Sequence, residues 1–161
     1  INGTDKGYQV ATGDLNGDYN DEVAVVDQAG PTVRLYAADG TLLYKVRPRG
    51  TFYHGGWQVA MGDIHGDGKG EMLLLPKSDR VDPVVSVLNS AGKRTSTIRL
   101  TGLKTNTNFL FTAGNIDGGP KDRLLVSSGN HQVTAWNDAG QKIRTIQIAT
   151  THSMDSLGIW Q

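Results

Sequence analysis

The chain has 161 residues with 16 Lys and Arg against 16 Asp and Glu, so its formal net charge is zero, and it contains no cysteine. A balanced charge gives no electrostatic reason to expect binding to nucleic acid or to an anionic membrane surface, and the lack of cysteine excludes disulfides and thiol chemistry. No apolar run approaches the length that a membrane-spanning helix needs, and the 21 glycines are typical of a turn-rich β protein.

The first third of the chain alternates short apolar stretches with turn residues. An acidic loop from Asp14 to Glu22 separates the first two predicted strands, and Asp39-Gly40 is typical of the turn in a β-hairpin. The second predicted strand is a nearly continuous apolar run, which is typical of a strand buried on both faces. The pattern predicts one four-stranded antiparallel unit with strands at 8–12, 22–27, 32–37 and 41–46.

The same order of elements returns twice at a period of roughly fifty residues, which is typical of propeller blades. The stretch 56–61 aligns with 7–12, and the hairpin turns at 38–40, 90–92 and 138–140 occupy equivalent places. The strands predicted in the two later units are 56–61, 71–75, 84–88, 95–100, 109–113, 123–127, 132–136 and 142–148.

We therefore expect an all-β fold, a β-propeller built of four-stranded antiparallel blades, within a single repeat domain over 1–161. The predicted blades are 7–50, 51–102 and 103–150. The final residues, 151–161, resemble the opening strand of a blade, so we expect them to belong to a further blade or to a partner's blade.

The first acidic loop carries oxygen-bearing side chains at a regular stagger. Counting Asp14 as position 1, Asn16, Asp18 and Glu22 fall at positions 3, 5 and 9, and the backbone carbonyl of Asn20 lies at position 7. Hard cations such as Ca²⁺ take roughly six to eight oxygen ligands, and crowding these carboxylates without a cation costs repulsion. The loop therefore predicts a calcium site, with a solvated polar turn between two strands as the alternative.

The second loop keeps the pattern with one change. Asp63, Asp67 and Glu71 fall at positions 1, 5 and 9 and the carbonyl of Lys69 at position 7, but His65 takes position 3. Imidazole suits Zn²⁺ or Cu²⁺ better than Ca²⁺. The sequence thus leaves three alternatives open, namely weak calcium binding, a water molecule in place of the ligand at position 3, or a zinc site.

The third loop, 115–123, departs further from the pattern. Gly119 stands at position 5 and Arg123 at position 9, where the first two loops have acidic residues. A guanidinium group repels a cation, and we expect it to pair with Asp117 instead. The third loop is therefore expected to hold no metal.

The stretch GDLNGD at 13–18, followed after three residues by EVAVV at 22–26, resembles the FG-GAP or VCBS repeat. Repeats of this family occur in integrin α-subunit heads, fungal lectins and many secreted bacterial proteins. The resemblance, which is weaker at 63–75 and weakest at 115–126, implies that each repeat is one blade. It also implies that the loop between the first two strands of a blade holds Ca²⁺ through the positions named above.

The expected calcium ions are structural rather than catalytic. Such loops in extracellular modules bind Ca²⁺ with dissociation constants of roughly 10⁻⁴ to 10⁻³ M, which favours a location outside the cell or at its surface. The four histidines are scattered, and the acids cluster as cation ligands, so we expect no enzymatic activity. We expect a structural, adhesion or assembly role, with a carbohydrate-binding propeller or the propeller part of a polysaccharide-degrading enzyme as alternatives.

Three blades cannot close a ring, since propellers have about four to eight. The expected partners are therefore further copies of the chain, in a closed ring or a filament, or further blades of a longer chain. A glycan partner belongs to the carbohydrate-binding alternative. We expect Trp57, Trp136 and Trp160 to pack between blades, and Asn2-Gly3-Thr4 matches a glycosylation acceptor.

Overall fold

A computed structural model describes residues 7–78, 80–103, 109–127 and 131–148. The described residues form twelve strands, and each predicted strand agrees with an observed one to within one residue at either end. The strands are β1 (Tyr8–Gly13), β2 (Glu22–Asp27), β3 (Val33–Tyr36), β4 (Leu42–Val46), β5 (Trp57–Gly62), β6 (Glu71–Pro76), β7 (Val84–Leu88), β8 (Arg94–Arg99), β9 (Leu110–Gly114), β10 (Arg123–Ser127), β11 (Gln132–Trp136) and β12 (Lys142–Gln147).

The strands form three antiparallel sheets of four, each in chain order, which confirms the predicted all-β class. We call them blade 1 (β1–β4), blade 2 (β5–β8) and blade 3 (β9–β12). The predicted strand at 151–161, Trp160 and the acceptor site at Asn2 lie outside the described residues. No helix in the described part of the chain is long and apolar enough to cross a membrane.

The first strand of each blade ends at the glycine immediately before the loop that follows it. Gly13 pairs with Glu22 in blade 1, and Gly62 pairs with Glu71 in blade 2. Gly114 pairs with Arg123 in blade 3. This common register fixes the two ends of each nine-residue loop opposite one another, so the three loops lie at equivalent places.

Blade 2 lies between the other two and buries both of its faces. In β6 the side chains alternate with the two-residue period of a strand. Met72 and Leu74 join the apolar core against blade 1, whereas Leu73 and Leu75 join the core against blade 3. The sheets therefore stack face to face through two separate apolar cores.

Trp57 and Trp136 lie in these cores, as predicted. Trp57 is fully buried between blades 1 and 2, and its Nε1 donates to the carbonyl of Pro31 at 3.3 Å. Trp136 Nε1 donates to the carbonyl of Thr101 at 3.0 Å. Tyr53 packs its ring on Trp57 with centroids 5.0 Å apart, and burial raises the pKa of its hydroxyl to about 12.

Candidate metal-binding loops

The three loops lie between the first and second strands of their blades: loop 1 (14–22), loop 2 (63–71) and loop 3 (115–123). Position 4 of each is a glycine with positive φ. Position 6 also has positive φ in the first two loops, at Tyr19 (67°) and Gly68 (83°). Loop 3 has Pro120 there, whose ring holds φ near −65°, so loop 3 cannot follow the same path.

The carboxylate at position 1 organises the backbone of loops 1 and 2. Asp14 accepts N–H donors from Gly17 at 2.6 Å and from Tyr19 at 2.8 Å, and Asp63 accepts from Gly68 at 2.7 Å. Partial desolvation raises the pKa of Asp14, but the backbone donors outweigh it and leave the pKa below its usual value. The Asp14 carboxylate is therefore held ionised by the backbone of its own loop.

The glutamate at position 9 is buried in both of these loops. One oxygen of Glu22 accepts the backbone N–H of Leu15 at 2.9 Å, and the equivalent oxygen of Glu71 accepts from Ile64 at 3.1 Å. Glu22 and Glu71 are only 4% and 6% exposed, so each carboxylate is fixed at the base of its loop. A buried carboxylate with an acidic neighbour is a place where a cation is favourable.

The other oxygen of each glutamate meets the side chain at position 3. Asn16 Nδ2 donates to Glu22 Oε1 at 2.9 Å, and His65 Nδ1 lies 2.8 Å from Glu71 Oε1. We call this contact between positions 3 and 9 the clasp. The residue pattern identifies the side chains at positions 3 and 9 as candidate metal ligands, but it gives no sign that they contact each other.

Loop 2 brings three carboxylates together. Oxygens of Asp63, Asp67 and Glu71 all lie within 4.8 Å of one another, and no other group of three acids or histidines in the described residues does so. Burial raises the pKa of Glu71, although hydrogen bonds from His65 and Ile64 oppose the rise. This set of hard oxygen donors fits Ca²⁺.

Loop 1 has the fuller set of ligand types but a less convergent arrangement. Asn16 directs its amide nitrogen at Asp18, 3.1 Å away, as well as at Glu22, while its oxygen accepts the N–H of Asp18 at 2.8 Å. A metal at this site would require the amide to present its oxygen instead. The ligand roles assigned to both loops stay predictions.

Loop 3 contains an ion pair between two of its own side chains. Arg123 Nε donates to Asp117 Oδ2 at 2.7 Å, which is the pairing expected from the sequence. That hydrogen bond, with a backbone donor from Gly119, holds the pKa of Asp117 below its usual value. Loop 3 thus has the same clasp with its polarity reversed, since the acid is at position 3 and the donor at position 9.

Each loop is also joined to the loop of the next blade. Gly70 N donates to the carbonyl of Asp14 at 2.7 Å, and Asp122 N donates to the carbonyl of Asp63 at 2.7 Å. Both bonds run from position 8 of one loop to position 1 of the preceding loop. A backbone contact of this kind leaves no signal in side-chain type, so sequence analysis could not find it.

The span that contains the first two acidic loops matches a known repeat family. Residues 14–74 match the family model described as the FG-GAP-like repeat, so this span is an FG-GAP-like repeat, in agreement with the resemblance noted above. The matched span holds loops 1 and 2 and the blade contact between them. No curated protein matches the chain.

Three solved structures are similar to the chain. They are a protein of unknown function from Bacteroides caccae (15% identity, 89% of this chain, 47% of that one, TM-score 0.55), the exotype rhamnogalacturonan lyase YesX (16%, 84%, 32%, 0.56) and the Bacillus licheniformis rhamnogalacturonan lyase PL11 (15%, 89%, 34%, 0.58). At such identities the likeness shows the fold alone. The chain spans less than half the length of each of these proteins.

Proposed function

We propose that the chain is a calcium-stabilised β-propeller module, located outside the cell or at its surface, with a structural, adhesion or assembly role. One observation carries the proposal: loop 2 gathers Asp63, Asp67 and Glu71 within 4.8 Å at a point where blade 3 contacts blade 2. A cation bound there would act on one blade and on its junction with the next.

The residues that would hold Ca²⁺ in loop 2 are these three acids and the carbonyl of Lys69, with water in the place of His65. In loop 1 they are Asp14, Asp18, Glu22, the side-chain oxygen of Asn16 and the carbonyl of Asn20. The ion supplies positive charge that relieves the repulsion among the acids. Backbone N–H donors from the chain itself hold the carboxylates at positions 1 and 9 in place.

The hydrogen bonds between neighbouring loops support a structural role. The carbonyl of Asp14 accepts from blade 2, and the carbonyl of Asp63 accepts from blade 3. Ordering position 1 by a bound ion therefore orders the acceptor that the next blade uses. Because modules of this type are tuned to calcium at roughly 10⁻⁴ to 10⁻³ M, the proposal places the protein in an extracellular environment.

Catalysis is not part of the proposal. Two of the similar structures are rhamnogalacturonan lyases, but at 15% and 16% identity they lend this chain a fold and no reaction. We expect no cleavage of rhamnogalacturonan, measured by the ultraviolet absorbance of unsaturated products. Sustained product formation by the purified chain would contradict this part of the proposal.

Calcium titration followed by calorimetry tests the metal sites. We expect the chain to bind Ca²⁺ at loops 1 and 2, and D63N to weaken one of the two sites by about tenfold or more, because it removes a charged ligand. The matched control is D82N, since Asp82 lies outside the loops and pairs with Arg99 at the surface. Equal binding by D63N and D82N, or no binding by the wild type, would refute the sites.

A further inference from the structure

The two internal blade contacts use equivalent side chains. Val59 and Leu74 of blade 2 are buried against blade 1, and Phe111 and Val126 of blade 3 are buried against blade 2. The strand registers give each pair the same place in its blade, since Val59 is opposite Leu74 and Phe111 is opposite Val126. Blades 2 and 3 therefore use the same surface to contact the blade that precedes them.

Blade 1 carries that surface with no blade over it in the described structure. Val10 is opposite Val25, as Val59 is opposite Leu74, and Val10 is 61% exposed. Tyr8, in the place of the fully buried Trp57, is 55% exposed. We call this surface the blade 1 face.

Blade 3 carries the other half of the contact. In blade 2 that half is Ala60 with Leu73, both buried against blade 3. Its counterpart in blade 3 is Thr112 with Leu125, on the same face as Leu110, which is 71% exposed. We call this surface the blade 3 face. The described part of the chain thus presents both halves of its own internal contact, one on blade 1 and one on blade 3.

Gly114, on the blade 3 face, has open space where the equivalent glycines of blades 1 and 2 contact the next blade. A Cβ added to Gly13 would lie 2.8 Å from Met61 Cβ of blade 2, and one added to Gly62 would lie 2.7 Å from the Asp122 carboxylate of blade 3. The equivalent Gly114 has nothing within 4 Å and no positive φ. Packing within the described chain therefore does not require glycine at 114, whereas an incoming blade of the same type would.

The hydrogen bonds between loops follow the same repeating pattern as the apolar contacts. Position 8 donates to position 1 of the preceding loop at both internal contacts, and the Asp122 carboxylate also accepts the N–H of Asp63 at 3.0 Å. The equivalent positions on the two outer blades are position 8 of loop 1, which is Asp21, and position 1 of loop 3, which is Asn115. Asp21 has the same carboxylate as Asp122 and so has the groups for both bonds.

We infer that the blade 1 face binds the blade 3 face of a second copy of the chain, head to tail. Asp21 of one copy forms hydrogen bonds with Asn115 of the other. This rests on the assembly role proposed above. The occupant is a second copy because the chain itself carries both complementary surfaces, which makes the contact heterologous. The described residues of two copies supply six blades, within the range of about four to eight in which propellers close.

Light scattering after size exclusion, with calcium present, tests the inference on the 161-residue chain. We expect a mass of about twice 17.3 kDa for the wild type. V10E places a charge on the blade 1 face and G114L fills the space on the blade 3 face, so each should give a 17.3 kDa monomer. F52E adds the same charge to a loop residue that is 94% exposed, and it should keep the wild-type mass.

Mixing the two variants separates head-to-tail from face-to-face contact. V10E keeps an intact blade 3 face and G114L keeps an intact blade 1 face, so the mixture should form a mixed dimer through one contact. Circular dichroism and calcium binding of each variant report whether it is folded, independently of mass. A monomeric wild type, an unaltered mass in either folded variant, or no mixed dimer would overturn the inference, even if the calcium sites hold.

Discussion

At the scale of single residues, the three loops are variations on one contact. The clasp joins Asn16 to Glu22 in loop 1 and His65 to Glu71 in loop 2. In loop 3 the polarity is reversed and Arg123 donates to an acid at position 3. A clasp of either polarity closes the loop, but only a loop with several acids leaves negative charge that a cation can neutralise.

Replacing His65 tests which metal loop 2 takes. H65N gives loop 2 the position 3 residue of loop 1, and its amide can offer an oxygen that imidazole lacks. We expect H65N to raise calcium affinity at loop 2 by a factor of about 3 to 10, measured by calorimetry. A loss of zinc binding without a gain in calcium affinity would instead assign loop 2 to zinc.

Removing the guanidinium of loop 3 tests the protein cation. The pKa of Asp117 is depressed chiefly by the hydrogen bond from Arg123, so the stabilisation is present above the unfolded pKa, near 3.8, and is lost as pH falls through the folded pKa. R123Q should therefore lower the free energy of unfolding at neutral pH, and the difference from wild type should shrink in acid.

Chemical denaturation at neutral pH and at about pH 3, below the usual carboxyl pKa, measures that difference. R99Q is the control, since the ion pair of Arg99 with Asp82 is more than 60% exposed on both side chains and such pairs contribute about 0 to 1 kcal/mol. A gap between R123Q and wild type that is unchanged in acid would argue against the pairing.

At the scale of elements, stability comes from stacking blades. Blade 2 buries both faces, and Trp57 fills the core between blades 1 and 2. We expect W57A to lower the free energy of unfolding by about 3–5 kcal/mol, through lost burial and the cavity left behind. F52A, at a 94% exposed aromatic, should change it little. Equal effects in denaturant titrations would refute a core role for Trp57.

The strands were predictable because their signals are local. Period-two alternation, hairpin turns and a repeat near fifty residues located the observed strands to within one residue. The geometry of the loops was harder to predict, because the types of ligand residue are visible in the sequence whereas the convergence of their oxygen atoms is not. Loop 1 has the better pattern of residue types, yet loop 2 brings its acids together. Backbone bonds such as Gly70 N to the Asp14 carbonyl depend on how blades stack, which residue types do not encode.

At the scale of the whole molecule, the loops and the blades form one connected system. A backbone hydrogen bond joins each two neighbouring loops, and each two neighbouring blades share an apolar core. Calcium at loops 1 and 2 should therefore stabilise the stack as a unit. Binding to the folded state alone contributes about 2.7 kcal/mol at a hundredfold excess over the dissociation constant.

Thermal unfolding in millimolar calcium and in EDTA measures this stabilisation most directly. We expect the midpoint to be several degrees higher in calcium, in proportion to the binding free energy. The gain should be reduced in D63N and kept in D82N. Superimposable melting curves in calcium and EDTA, at calcium concentrations above the expected dissociation constant, would contradict the claim that calcium holds this fold together.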